Sequence, residues 1–161
     1  MEMANKLRCD LTAEVVGTFG EIRLRVFGTS MVPSIFPGDL ISVERAVVSE
    51  VSSGEIVLYA REGRMFVHRV VACTGSAEHS LLIVRGDRLR HNDPPVSFPE
   101  LIGRVTRIER GPSKIPVPSC LNLAEQAICR PLRFSDRATY FYLYLASRWS
   151  KFFPWRAVCR P

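Results

Sequence analysis

The sequence predicts a mostly β domain, curled or barrel-like, with helices towards its C-terminal end. Two observations carry this. Six short segments rich in Val and Ile lie between residues 21 and 109, separated by Gly, Ser, Pro or Asp. That rhythm suits a sheet that curls on itself. Helical patterning is confined to the two ends of the chain, and the C-terminal part of it follows a Pro-rich stretch.

In chain order, DLTAEVVG at 10–17 reads as a short helix ending near Gly17. In EIRLRVF at 21–27, Ile22, Leu24 and Val26 alternate with Arg23 and Arg25, the period of a half-buried strand. PGD at 37–39 is a turn signal. Further strands are expected at 40–44, 55–60, 65–72, 81–86 and 102–109. Residues 111–119 hold three prolines and read as a linker between a domain at 1–110 and a tail at 120–161. LNLAEQAICRPLRF and SDRATYFYLYLASRWSKFF then look helical, with Ser135 as the cap of the second and Pro154 as its stop.

The chain has 161 residues, enough for one domain with an appendage, and a net charge of +6. Residues 1–109 carry 13 Lys/Arg and 14 Asp/Glu, whereas 110–161 carry 9 and 2, so the basic character belongs to the C-terminal third. The five cysteines form no CxxC pair, there is no HExxH, and His and Cys spacings fit no common metal site. Neither metal nor cofactor is expected, and reduced thiols in the cytosol are. No apolar run reaches the roughly 20 residues of a spanning helix. The expectation is a cytoplasmic chain without a transmembrane segment.

GTSMVPSIFPGD at 28–39 matches no regular element and holds Ser30 between a glycine and a proline. Ser30 reads as a turn residue or as a nucleophile. As a nucleophile it needs a base within reach and donors for an oxyanion, which amides at 29–31 could supply. Gly28 would let the backbone turn closely. Lysines occur only at 6, 114 and 151, away from the strands. His68 sits mid-strand, sharing a face with Phe66 and Val70 while Val67 and Arg69 face the other way. It reads as a general base or as a hydrogen-bonded core histidine. His79 lies in a polar loop. Asp87 and Asp93, in RGDRLRHNDPP, could fix a histidine tautomer or serve as turn residues.

Together these segments resemble the signal peptidase I superfamily, which includes LexA-like proteases. The resemblance runs over residues 22–109. A serine box is matched by Ser30-Met31-Val32-Pro33-Ser34 with Gly38-Asp39, and a second box by GEIVLY from Gly54. A histidine-type base strand is matched by Val67-His68-Arg69-Val70, a later box by Gly86-Asp87 with Asp93, and a closing one by IGRV at 102–105. Two asparagines of the Gly86-Asp87 box are replaced by Arg88 and Leu89.

The resemblance implies coiled antiparallel sheets and peptide-bond hydrolysis through an acyl-enzyme. Ser30 would be the nucleophile, His68 the base, Asp93 the orienting acid and Asp87 a support. The Ser30 amide would serve the oxyanion. Gly28 stands where some relatives carry a hydroxyl, leaving backbone or Thr29 to help. The substrate would be an exported or precursor peptide bound as an extended strand, with small side chains near the scissile bond. The alternative is a LexA-like self-cleaving module or an inactive peptide-binding domain. With 29 residues before Ser30, the expectation is that the N-terminal membrane anchor of a signal peptidase is missing and that a LexA-like DNA-binding domain does not fit.

The tail sequence 138–156 interleaves aromatics with Arg148, Lys151 and Arg156. A helix packed on the β domain or a partner is the first expectation. Peripheral docking on anionic lipid is the sharper one, and nucleic acid is not expected as a partner.

Overall fold

The computed structural model describes residues 2–75 and 80–149; the expectations placed on His79 and on Lys151 and beyond lie outside them. The chain begins with helix α1 (Glu2–Phe19). It is longer than the expected 10–17, and its inward stripe starts ahead of that stretch: Cys9, Thr12 and Val16 face inward at helical spacing while Leu7 and Leu11 stay exposed. Gly20, at φ +81, ends the helix and donates its amide to the Val16 carbonyl.

Seven strands follow: β1 (Glu21–Arg25), β2 (Leu40–Glu44), β3 (Ile56–Arg61), β4 (Arg64–Thr74), β5 (Leu81–Arg85), β6 (Leu101–Arg110) and β7 (Ser113–Ile115). They form one antiparallel sheet in the order β1-β2-β6-β3-β4-β5, with β7 paired to the end of β6. The path does not close into a barrel. Register shifts interrupt the ladders at Ser42/Val43, Leu58/Tyr59 and Val70/Ala72, the kind of irregularity that bends and coils a sheet. All six expected strands are present within two residues at either end, and β7 lies inside the stretch read as a linker.

Both faces of the sheet are buried at β3. Ile56 and Leu58 join a cluster with Val16, Met31, Ile41, Val43 and Ile108, while Val57 and Tyr59 join one with Val70, Leu82, Val84 and Val96. Each fully buried aliphatic side chain contributes about 1.5–3 kcal/mol, so this two-sided strand anchors the domain. A third cluster joins Val32 and Phe36 of the serine loop to Leu132 of α2 (Leu123–Leu132) and Leu143 of α3 (Asp136–Trp149). The helices of the tail therefore pack on the loop that carries Ser30. Asn122 caps α2 by accepting from the Glu125 amide, and the Ser135 hydroxyl accepts from the Ala138 amide at the start of α3.

Candidate active site

The loop between β1 and β2 is held by its own sequence. The buried Asp39 accepts from the Phe36 amide at 2.8 Å and from Arg110 Nη2 at 2.8 Å, while the Arg110 guanidinium lies over the Phe36 ring. The Val32–Pro33 peptide is cis. Val32, Ile35 and Phe36 are buried, which leaves Ser30 at the rim of a cleft of about 800 Å³.

Across that cleft stands β4. Its alternation puts His68 on the face of Val70, as expected, with Tyr59 and Phe66 rings beside it. His68 is 3% exposed. Its Nε2 lies 3.0 Å from Ser30 Oγ, and its Nδ1 lies 2.5 Å from Asp93 Oδ2. The Asp93 carboxylate can only accept, so Nδ1 carries the proton and Nε2 is left to accept from the Ser30 hydroxyl. This tautomer lets the imidazole take a proton from Ser30 as the oxygen attacks a carbonyl. Ser30, His68 and Asp93 are thus brought together from three separated segments.

Tyr59 was not anticipated. Its hydroxyl donates to Asp93 Oδ2 at 3.0 Å and sits 3.3 Å from His68 Nδ1. Burial, and then the Asp93 carboxylate, push its phenol up, so it remains a protonated donor. In sequence Tyr59 ends an apolar run and reads only as core. Arg61 holds the Asp93 loop from the same strand, donating to the carbonyls of Pro94 and Pro95 at 2.9 and 2.8 Å and to Glu100.

Asp87 does not reach His68. It pairs bidentately with Arg69, at 2.8 and 2.9 Å, and accepts from the Ser34 hydroxyl at 2.5 Å. Arg69 also donates to Ser34 Oγ and to the carbonyls of Gly54 and Pro118. This network braces the serine loop from behind. Gly86 explains the glycine before Asp87: an added Cβ would stand 2.8 Å from the Ser30 carbonyl oxygen and 3.0 Å from Ser30 Cβ. Where the resembling family has asparagine, the Arg88 amide donates to the Ser30 carbonyl at 2.9 Å. The Arg88 side chain reaches Thr29 Oγ1, Thr139 Oγ1 and Asp136, tying the serine loop to α3.

One expectation is corrected. A Cβ added at Gly28 would meet nothing within 4 Å, so no close turn depends on that glycine. Thr29 lines the cleft and its hydroxyl oxygen accepts from Arg88 Nη2, a bond that uses a lone pair and not the O–H donor. Met31 is buried in the core and contributes backbone alone. Among the described residues no group of three or more His, Cys, Asp or Glu side chains is placed to hold a metal ion.

Residues 8–86 match the model of the Peptidase S24-like family. That match spans 79 residues, just under half of the 161-residue chain. The matched stretch includes Ser30 and His68 and ends at Gly86, so Asp87 and Asp93 lie beyond it. A search of curated proteins found no match. The seven-stranded antiparallel sheet agrees with the Peptidase S24-like fold. Among the described residues no helix is long and apolar enough to cross a membrane.

Proposed function

We propose that this chain is a serine endopeptidase acting on exported or precursor peptides. Ser30 attacks the scissile carbonyl, His68 takes its proton and later returns it to the leaving amine, and Asp93 holds the imidazole. The acyl-enzyme is then hydrolysed by water. The observation that carries this reading is the continuous line Ser30 Oγ–His68 Nε2, His68 Nδ1–Asp93 Oδ2, at 3.0 and 2.5 Å.

The peptide would bind as an added strand. The cleft lies between β1 and the first half of β4, and is lined by Leu24, Val26, Met65 and Val67. Among the described strands β1 pairs only with β2, and β4 meets β5 only from Arg69 onward. Each side of the cleft therefore offers strand edge to an extended chain. Peripheral membrane contact belongs to the same proposal: α3 exposes Tyr140, Phe141 and Leu145.

The test is incubation of the full chain with a library of unstructured peptides, read by mass spectrometry. Cleavage of library peptides is expected, with the enzyme's own mass unchanged. Cleavage of the chain alone would replace this reading with self-processing, and intact masses throughout with an inactive peptide-binding domain.

A further inference from the structure

The basic C-terminal third has no role in the chemistry above, yet part of it lines a second pocket. This pocket, of about 480 Å³, lies behind Asp87, away from the Ser30 cleft. Arg69, Arg85, Arg130 and Arg133 line it against one carboxylate, Asp87. They come from β4, from the end of β5, and from α2 and its C-cap.

Asp87 is already taken by both Nε and Nη2 of Arg69, so that pair cancels in charge. Arg133 spends Nη2 on the Asp87 main-chain carbonyl at 3.1 Å, which is no counter-ion. The guanidinium groups of Arg85 and Arg130 have no hydrogen-bond or ion-pair partner among the described residues. Gln126, also at the wall, spends one of its amide N–H groups on the Leu121 carbonyl and keeps the other. Three unneutralised guanidinium groups around one pocket repel each other, and an anion between them turns that repulsion into attraction. Planar guanidinium forks match the oxygens of a phosphate group in pairs. The volume exceeds that of a lone phosphate and falls within the range of small-molecule sites.

We propose that this pocket binds a molecule carrying a phosphate or diphosphate group, held by Arg85, Arg130 and Arg133. The site is separate from Ser30 and stands whether or not Ser30 performs hydrolysis.

The test is calorimetric titration of the full chain with inorganic pyrophosphate at constant ionic strength. Saturable one-to-one binding is expected, unchanged in Ser30→Ala. Arg85→Gln and Arg130→Gln, made separately, should each weaken it about tenfold. Arg137→Gln, an exposed arginine of α3 outside the pocket, should leave it unchanged. No saturable heat, or equal weakening by Arg137→Gln, would overturn the site in favour of general charge attraction. Melting temperatures of the two variants separate lost binding from lost fold. Vesicles of phosphatidylcholine with phosphatidic acid form a second arm. If they compete with pyrophosphate, the phosphate belongs to a lipid headgroup; if they do not, it belongs to a soluble molecule.

Discussion

Two sets of side chains lie back to back across β4, each a serine, a cation-forming residue and an aspartate. Ser30, His68 and Asp93 face the Ser30 cleft; Ser34, Arg69 and Asp87 are buried on the other side, where Arg69 and Asp87 line the second pocket. His68 and Arg69 are consecutive, so the strand's alternation alone sends them to opposite sides. The first set has a base that can gain and lose a proton. The second has a guanidinium that stays charged and a carboxylate that is 4% exposed. A similar list of residues thus yields a reactive set where the middle member is an imidazole beside a cleft, and a brace where it is a guanidinium paired with a buried carboxylate. Gly86 and the Arg88 amide, packed on Ser30, couple the two.

The sharpest way to break the comparison is to remove one member from each side. Ser30→Ala and His68→Ala should each lower peptide cleavage by roughly 10⁴-fold or more, and Ser30→Ala should do so with little change in melting temperature. Asp87→Asn should do the reverse first. It leaves Arg69 buried without a counter-ion, at a cost of about 3–5 kcal/mol, read by denaturant unfolding. If Ser30→Ala destabilises the fold as much as Asp87→Asn does, the division into reactive set and brace is wrong.

A smaller effect tests the support of Asp93. Tyr59→Phe removes one donor to that carboxylate while keeping the stacked contact with Phe66. We expect kcat to fall about tenfold with KM nearly unchanged, since the lost bond positions the Asp93 carboxylate behind His68 and makes no contact with substrate. A change in KM alone would make Tyr59 part of the peptide cleft instead.

The smallest effect concerns pH. Hydrogen bonds from Arg61 hold the Glu100 carboxyl at about 2, below its ordinary 4.5. A depressed folded-state pKa means that this contact stabilises fully above about pH 4.5 and is lost as pH falls towards about 2. Melting curves of wild type and Glu100→Gln should therefore converge over that window. Parallel curves would show that Arg61 holds the Asp93 loop without Glu100.

Much of this was legible in the sequence, for identifiable reasons. The alternation in MFVHRVVA fixes the side on which His68 stands, and short Val/Ile runs between turn residues mark the strands. Strand order was not legible: β6 enters between β2 and β3 through pairings from 42 (Tyr59 with Leu101) to 69 (Leu40 with Glu109) residues apart, which leave no local trace. Tyr59 was hidden because a buried tyrosine and a core aromatic share one pattern. Arg88 was hidden because its partners, Asp136 and Thr139, belong to a helix read as a separate tail. The strand β7 was hidden behind the prolines that flank it.

The central claim is that Ser30 is a nucleophile made reactive by His68. Labelling the full chain with a serine-directed phosphonate probe, then locating the adduct by peptide mass spectrometry, tests it most directly. The account predicts a single adduct on Ser30, absent in Ser30→Ala and strongly slowed in His68→Ala. An adduct on another residue, or labelling of Ser30 at the same rate without His68, would contradict it.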